Sequence, residues 1–230
     1  MLVDVRPKLE RIACRGTDDG MKPQTDPRSP VKLTRKGAAT RARLVTAAGK
    51  VFAELGFLQT RITDITKAAD AASGTFYVYF DSKEDILRAV FDDVIADFLD
   101  MLREGRPVDA DPIALIDHDN QRYLVAYRKH AGAMRVLEQV ATFNDEFAAL
   151  RRSVRDRFVV RAERSIEQWQ RAGHCDPDFD PHIVAALLVA MVDNFTYTWL
   201  GLGESYNGDR VSEEMTSVWV KSLGLRRLDP

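Results

Sequence analysis

Cysteine is scarce in this sequence of 230 residues, which contains only two. Two cysteines cannot build a disulfide framework, so we expect a protein of the reducing cytoplasm. Long hydrophobic runs are also missing, since the longest purely apolar stretch covers ten residues, 183–192. A membrane-spanning helix needs about twenty such residues, so we expect no transmembrane helix and no membrane partner. The N-terminus has no apolar segment ahead of a small-residue cleavage site, which argues against secretion.

Signatures of catalysis are absent as well. The sequence has four histidines, and no pair of them has a catalytic spacing. It contains no Gly-x-Ser-x-Gly elbow, no His-Glu-x-x-His motif and no phosphate-binding glycine loop. We therefore expect neither enzymatic activity nor a cofactor.

One segment has the composition of a metal site. Residues 174–182 contain two histidines, one cysteine and three aspartates. An EF-hand loop is excluded because Pro181 occupies the position that requires glycine, and Leu187 the position that requires glutamate. The spacing also fits no common zinc site, so we predict that no metal is bound.

Charge is present in both signs but is unevenly distributed. The whole chain has a net charge of −2, whereas residues 1–88 carry +5 and residues 89–230 carry −7. A basic amino-terminal part on an acidic body is typical of a DNA-binding segment joined to a second function.

Apolar residues recur at helical spacing along most of the chain. The first stripe covers residues 44–55 and ends at Gly56, a residue suited to the left-handed conformation that ends helices. Two short helices follow, separated by a break at residues 70–72, and the second is anchored by Phe76 and Phe80. Neither alternating strand patterns nor internal repeats occur, so we predict an all-α fold.

The remaining helices are predicted from caps and periodicity. Ser82 begins a capping box for a long helix that reaches about Leu102. Further helices are predicted at about 112–131, 134–143, 146–172, 181–202 and 211–223. Residues 1–35 contain four of the nine prolines and no sustained apolar period, so we predict a disordered arm there.

Two short helices joined by a tight turn, after a longer helix, are the plan of a helix-turn-helix DNA reader. The second short helix must enter a groove about 12 Å wide, so only Phe76 and Phe80 remain to anchor it. The side chains expected to point outward are Ser73, Thr75, Tyr77, Val78 and Tyr79.

Four short motifs lie close together in residues 44–87, namely Phe-Ala-Glu-x-Gly-Phe at 52–57, Gly-Thr-Phe-Tyr at 74–77, Tyr-Phe at 79–80 and Ser-Lys-Glu at 82–84. With these motifs, residues 44–87 resemble the DNA-binding domain of TetR-type (tetracycline-repressor-like) transcriptional regulators. The resemblance implies a three-helix DNA-binding domain at 36–82, which we call the reader. A helical effector-binding and dimerisation domain is implied at 83–226.

The resemblance also assigns DNA contacts by position. Contacts to phosphates, which orient the protein without reading sequence, are implied for Thr75, Tyr77 and Lys83. Contacts to base edges, with Val78 suited to a thymine methyl, are implied for Ser73, Gly74, Val78 and Tyr79. Further contacts are implied for Thr63 and Arg41.

The turn of this reader departs from the Gly-Val-Ser that is usual in the family, since it reads Asp70-Ala71-Ala72. Aspartate tolerates the left-handed conformation better than most residues. Because alanine has no capping oxygen, we expect Ser73 to cap the recognition helix, which leaves the base-facing register open by one residue. No Arg, Asn or Gln lies at 73–79, so we expect DNA shape to contribute to recognition.

A ligand cavity is implied among the helices between residues 83 and 172. Candidate lining residues are Tyr123, Tyr127, His130, Met134, Phe143, Phe147, Phe158 and Trp169, and their mix favours an apolar or amphipathic effector. The alternative is that each of them is plain core. The arginines at 151, 152, 155 and 157 form either a site for an anionic ligand, such as an acyl thioester, or a solvated face.

The resemblance implies that the last two helices form a homodimer. Residues 183–192 are apolar nearly all round, so that helix must be covered on several sides, and a second chain is a natural cover. Candidate interface residues are Ile183, Leu187, Ala190, Met191, Phe195, Trp199 and Val218. Asn194 is expected either to fix the register of this interface or to line the rim of the pocket.

The sequence therefore predicts a ligand-responsive transcriptional repressor of the cytoplasm. It is expected to bind a near-palindromic double-stranded DNA operator as a homodimer and to be released by a small-molecule effector. The alternative is an effector-independent DNA-binding protein that organises the chromosome with the same reader.

Overall fold

The structure, a computed structural model, describes residues 33–107 and 110–225. Every regular element in these ranges is helical, which confirms the predicted all-α fold. The α-helices are α1 (Arg35–Gln59), α2 (Ile62–Ala68), α3 (Ser73–Phe76), α4 (Lys83–Arg103), α5 (Pro112–Ala141), α6 (Asp145–Arg171), α7 (Pro181–Thr196) and α8 (Gly208–Ser222). Nearly all of the predicted arm, residues 1–35, lies outside the described residues.

Side-chain caps determine where most of these helices begin. Ser82 accepts a hydrogen bond from the backbone N–H of Asp85 at 3.0 Å, as the sequence predicts. The helices α5 to α8 each follow an aspartate or asparagine whose side-chain oxygen accepts from the first turn. Two of them also carry proline at a first-turn position, where the missing N–H has no cost.

The two helices predicted at 112–131 and 134–143 are one unbroken helix, α5, so that boundary is wrong. The physical reason is a close approach between α5 and α1 at Gly132. A Cβ at Gly132 would lie 2.7 Å from the Cβ of Ala53. Gly132 therefore allows α1 to pack closely against α5, and it does not end α5.

The helix predicted at 181–202 also differs, because α7 ends at Thr196 and a π-helical turn, Tyr197–Gly201, continues it. A Cβ at Gly201 would lie 2.8 Å from the ring of Tyr197, so the turn depends on a residue without a side chain. By length and composition alone, Pro181–Gly201 is the one helix in the described part of the chain that would suffice to cross a membrane.

The main hydrophobic core crosses the predicted boundary at residue 82. It joins Phe52 and Phe76 of the first three helices to Leu137 of α5 and Phe147 of α6. Three further clusters lie among α4 to α8. The first three helices are therefore packed directly on the helices that follow.

Two polar contacts reinforce this packing at the end of α1. The backbone N–H of Phe57 donates to the side-chain oxygen of Gln139 at 3.2 Å. The Arg135 guanidinium donates to the carbonyl of Ala53 at 2.6 Å. Both partners lie on α5, so α5 holds α1 through side chains as well as through the close approach at Gly132.

Candidate DNA interface and ligand cavity

The segment that follows α2 presents two large side chains to solvent. Phe76 and Phe80 are fully or almost fully buried, with ring centroids 5.7 Å apart, and they fix the segment to the core. Tyr77 and Val78, which lie between them, are 61% and 72% exposed. The predicted arrangement, an apolar anchor beneath a projecting face, is confirmed for these four residues.

The turn before α3 has the predicted backbone. Asp70 has a φ of 47°, in the left-handed region, and it is the only non-glycine residue with a positive φ in the described ranges. The prediction that Ser73 caps α3 is wrong, because α3 begins directly after Ala72 and has no side-chain cap. A backbone hydrogen bond of 2.8 Å from Thr75 to the carbonyl of Ala72 closes its first turn instead.

Three more of the proposed DNA contacts are open to solvent. Ser73 and Gly74 begin α3 and Thr63 lies on α2, and all three are exposed. A Cβ built at Gly74 would meet no atom within 4 Å. The glycine is therefore not required by packing within the described chain, and without a side chain it allows close approach to the backbone from outside.

Thr75 and Tyr79 are less available than the sequence predicts. Both are half-buried, and the Tyr79 side chain packs against the main core. The face available at 73–79 is therefore narrower than the five predicted side chains. Arg41, on α1, is exposed, and its guanidinium carbon lies 5.0 Å from the centre of the Phe80 ring. This contact places the Arg41 side chain beside residues 73–80, which we call the recognition segment.

Lys83, the expected third phosphate anchor, has partners inside the chain. Its ammonium donates to the carbonyl of Phe57 at 2.8 Å and to the carbonyl of Thr60 at 3.0 Å. The same ammonium lies 4.2 Å from the centre of the Phe57 ring. Lys83 thus satisfies carbonyls that the end of α1 leaves unpaired, and in this conformation it does not project toward DNA.

A cavity of about 140 Å³ lies among α4, α5, α6, α7 and α8. This volume is many times the space of about 10–15 Å³ that one water needs. Its aromatic wall consists of Phe98, Tyr123, Tyr127 and Phe158. The ring centroids of Phe98, Tyr123 and Phe158 are mutually 5.6 to 6.0 Å apart. Such a wall favours an apolar or aromatic occupant.

Five of the predicted lining residues line this cavity, namely Tyr123, Tyr127, Met134, Phe158 and Trp169. Four others do not line it, so the prediction is wrong for these four residues. His130 contacts the Asp97 carboxylate at 2.6 Å, and Phe143 is 52% exposed. Phe147 is fully buried in the main core, and Asn194 is exposed on α7. Helical spacing identified apolar faces but not the face that each helix turns toward the cavity.

Charged residues also reach the cavity, and among them are three of the four arginines that the sequence singled out, at 151, 155 and 157. The Arg151 guanidinium donates to Glu138 of α5 and, at 2.5 Å, to Asp193 of α7. All three residues line the cavity. Burial raises the pKa of the Tyr123 hydroxyl well above its usual range, so this phenol is neutral near neutral pH. The wall thus combines a cluster of one guanidinium and two carboxylates with the neutral hydroxyl of Tyr123.

Two hydrogen-bond donors in the cavity wall have no partner. The Nε of Arg155 and the indole Nε1 of Trp219 are buried and make no hydrogen bond within the described chain. A buried donor without a partner costs about 1–3 kcal/mol. A ligand that brings acceptor oxygens to these atoms would recover that free energy.

Of the seven predicted dimer residues, four are exposed, two turn inward and one is half-buried. Ile183, Leu187, Met191 and Val218 are exposed apolar side chains on α7 and α8, with Leu187 66% exposed. Phe195 and Trp199 instead turn inward, which corrects the prediction that they are available to a partner. Trp199 is buried with its own chain's Val192, Val211 and Met215, and Phe195 packs partly buried against this cluster. Ala190 is half-buried.

The segment that resembled a metal site is used for packing. Cys175 is buried in a hydrophobic cluster, and burial raises the pKa of its thiol. His182 contacts the carboxylate of Glu163 at 3.0 Å. Among the residues that the structure describes, no three His, Cys, Asp or Glu side chains are grouped as metal ligands would be.

Comparison with known proteins extends these observations. Residues 44–90 match the family model described as bacterial regulatory proteins, tetR family. The chain is 27% identical over 207 residues to the HTH-type transcriptional repressor KstR2 of Rhodococcus jostii, with 84% of this chain and 96% of that protein covered. It is also 27% identical over 178 residues to the uncharacterized HTH-type transcriptional regulator YdgC of Bacillus subtilis, covering 73% and 85%.

A solved structure has the same fold. The fatty acid degradation regulator FadR from Bacillus halodurans superposes with a TM-score of 0.69 at 20% identity, covering 85% of this chain and 100% of that one. The amino-terminal match and the curated relatives are all described as transcriptional regulators, and the solved structure shows the same fold.

Proposed function

We propose that this chain, which belongs to the tetR family of bacterial regulatory proteins, is a ligand-responsive repressor of transcription that acts in the cytoplasm. A homodimer binds a near-palindromic DNA operator, and a small apolar or amphipathic effector releases it. The observation that carries the proposal is the projection of Tyr77 and Val78 from a segment whose neighbours Phe76 and Phe80 are buried.

DNA recognition follows from the chemistry of that projecting segment. The Tyr77 hydroxyl donates to a phosphate oxygen and so positions the protein without reading sequence. The Val78 side chain contacts the methyl group of a thymine in the major groove. Gly74 lets the backbone approach the DNA, since nothing within the chain lies close to it.

Dimerisation follows from the exposed apolar side chains of α7 and α8. Ile183 and Leu187 are four residues apart and therefore lie on the same face of α7, and both are more than half exposed. Burying this face against a second copy places two recognition segments on one assembly. Such a pair fits two half-sites about 34–36 Å apart on the DNA.

Release by an effector follows from the position of the cavity. Met134 and Glu138 of α5 line the cavity, while Gln139 and Gly132 of the same helix contact the end of α1. Helix α4 also lines the cavity and begins directly after the recognition segment. A ligand that moves either helix changes the distance between the two readers. Couplings of about 1–3 kcal/mol, or 5- to 150-fold in affinity, are typical.

A gel-shift titration with DNA selected from random sequence tests the proposal. We expect Tyr77→Ala to weaken binding to every sequence alike, by about tenfold, because one phosphate contact is lost. Val78→Ala should instead change the preferred base at one position in each half-site. The matched control is Val125→Ala, which removes an exposed apolar side chain of the same type on α5, where 45% of the residue is exposed.

Two results would contradict the proposal. Unchanged DNA affinity and preference in both Tyr77→Ala and Val78→Ala would remove the recognition segment from the interface. Binding to many unrelated sequences, with no effector response from any promoter, would favour the effector-independent chromosome-organising protein instead.

A further inference from the structure

Helix α1 is interrupted at Gly56, close to its carboxyl end. Gly56 has a φ of 74° and a ψ of 168°, a combination that is essentially restricted to glycine. In a regular helix, the N–H of Phe57 would donate to the carbonyl of Ala53, four residues earlier. The dihedral angles of Gly56 turn the Phe57 amide away from that carbonyl, so both groups need other partners.

Helix α5 supplies a partner for each of these groups. The side-chain oxygen of Gln139 accepts from the N–H of Phe57 at 3.2 Å. The guanidinium of Arg135 donates to the carbonyl of Ala53 at 2.6 Å. Arg135 and Gln139 are four residues apart and therefore lie on the same side of α5. We call this pair of side chains the α5 clamp, because it binds both groups that the interruption of α1 separates.

Helix α4 binds the same point of the chain from another side. The Lys83 ammonium donates to the carbonyl of Phe57 at 2.8 Å and lies 4.2 Å from the centre of its ring. The Phe57 side chain itself is buried in the main core. The N–H of Phe57 is thus bound by α5 and its carbonyl by α4. The backbone of the reader is therefore fixed at Phe57 by both of these helices.

The part of α5 that carries the clamp also forms part of the cavity wall. The clamp residues contact α1, whereas their neighbours Met134, Leu137 and Glu138 line the cavity. All of these positions lie within two turns of one helix. Glu138 accepts a hydrogen bond from Arg151 of α6. This part of α5 is therefore attached to the body on one side and to the reader on the other.

The clamp and the hydrophobic core restrict the reader in different ways. Burial of apolar surface is non-directional, so it attracts the reader to α5 without defining one angle. A hydrogen bond weakens steeply when its donor and acceptor are misaligned. The two bonds of the clamp therefore add a restraint on the orientation of the reader to the attraction that the core supplies.

We propose that Arg135 and Gln139 are positioning residues for DNA binding, which fix the reader on α5 at the angle that two half-sites require. They act through the backbone of α1. In a dimer, this angle sets the distance and the relative rotation of the two recognition segments. This inference rests on the proposed function, because a spacing requirement exists only if a dimer binds two half-sites.

Operators of altered spacing test the proposal. Adding or removing one base pair between the half-sites of the selected DNA moves one half-site by about 3.4 Å and about a tenth of a helical turn. In gel-shift titrations, we expect the unsubstituted full-length protein to bind both altered DNAs at least about tenfold more weakly than the selected DNA, because one reader loses its base contacts. We call this ratio of affinities the spacing discrimination.

Removal of the clamp should lower the spacing discrimination. In the double variant with Arg135→Leu and Gln139→Leu the reader can rotate on α5, so we expect the ratio to fall at least about fivefold. Both positions are exposed, so the substitutions open no cavity in the core. The two single variants repeat the test with one hydrogen bond lost in each.

Two further variants serve as controls. Gln139→Glu keeps a side-chain oxygen that can accept from the Phe57 N–H, so it should preserve the spacing discrimination. Gln121→Leu is the matched control, since Gln121 is also an exposed glutamine of α5 but donates to Asp117 of its own helix. This variant should discriminate between the three DNAs as the unsubstituted protein does.

A purely structural role of the clamp predicts a different result. Loss of stability lowers the amount of folded protein, which weakens binding to all three DNAs by the same factor and leaves their ratio unchanged. The proposal is overturned if the double variant, or each single variant, is folded by circular dichroism and keeps the ratio of the unsubstituted protein. An equal fall of the ratio in Gln121→Leu would also overturn it.

The unsubstituted protein keeps this failure separate from that of the proposed function. If it binds the selected DNA with a clear spacing discrimination and the clamp variants share it, only the role of the clamp is rejected. If it binds no DNA sequence specifically, the repressor itself is rejected, and the positioning role with it.

Discussion

Replacement of Gly74 by alanine separates the stability of the protein from its DNA binding. The new methyl group would meet no atom of the chain within 4 Å, so the folded state accepts it without a clash. Alanine favours a helix interior over glycine by about 0.8–1.0 kcal/mol. Because α3 has only four residues, we expect a gain of about 0.5–1 kcal/mol in the free energy of unfolding.

The effect on DNA binding should have the opposite sign. If the backbone at Gly74 approaches the DNA closely, a methyl group there forces the two surfaces apart. Overpacking by one methyl group typically costs about 1–3 kcal/mol, which corresponds to a roughly 5- to 150-fold weaker complex. The assays are urea unfolding followed by circular dichroism, and a gel-shift titration with the selected operator.

Gly49→Ala on α1 is the matched control for this experiment. Its new Cβ would lie 3.5 Å from Val90, an ordinary contact, so it should stabilise the helix without touching DNA. The reasoning is refuted if Gly74→Ala is as stable as expected and binds DNA as tightly as the unsubstituted protein. The close approach of α3 to the duplex would then not exist.

Three further substitutions test contacts between helices: two of these contacts join the DNA-binding domain to the helices that follow it, and the third lies between α4 and α5. Lys83→Met removes two charged hydrogen bonds to carbonyls and should lower the free energy of unfolding by about 2–4 kcal/mol in a urea titration. Gly132→Ala should cost about 1–3 kcal/mol, and adding Ala53→Gly should restore part of the loss. A hydrogen bond from Lys129 lowers the pKa of Asp97, so Asp97→Asn should destabilise the protein at neutral pH, with a difference that disappears in acid.

The sign of the last effect follows from protonation. A carboxyl group whose pKa is lowered by folding stabilises the native state above its ordinary pKa of 3.8. That contribution is lost as the pH falls through the lower pKa of the folded state. A difference between Asp97→Asn and the unsubstituted protein that persists in acid would contradict this origin.

The other two variants have their own controls. Lys50→Met removes an exposed lysine of α1 and should change stability little, whereas equal losses in Lys50→Met and Lys83→Met would mean that charge alone matters. For the contact between α1 and α5, the double variant is compared with each single variant. If the losses of stability in Gly132→Ala and Ala53→Gly simply add in the double variant, the two positions do not clash directly.

Much of the recognition segment could be predicted from sequence because its determinants are local. The positive φ at Gly56, where a kink interrupts α1, and at Asp70, the cap at Ser82 and the buried pair Phe76 and Phe80 each follow from residue type or from helical spacing. The resemblance of residues 44–87 to a family added the assignment of DNA contacts by position, but it left the register of α3 open by one residue.

The errors arose where distant parts of the chain meet. Gly132 reads as a helix break until Ala53, far away in sequence, is known to lie against it. Lys83 reads as a surface cation until the carbonyls of Phe57 and Thr60 are known to lie within reach. Periodicity also does not say which way an aromatic side chain turns, so Phe147 was assigned to the cavity although it belongs to the core.

Hydroxyl-radical footprinting of the full-length protein on its selected DNA tests the central claim most directly. A dimer that presents two copies of the segment around Tyr77 and Val78 should protect two half-sites on one face of the duplex, with centres about 34–36 Å apart. Addition of the effector should abolish both protected regions together. Uniform protection without sequence preference, or a single protected half-site at saturation, would contradict a paired, sequence-reading repressor.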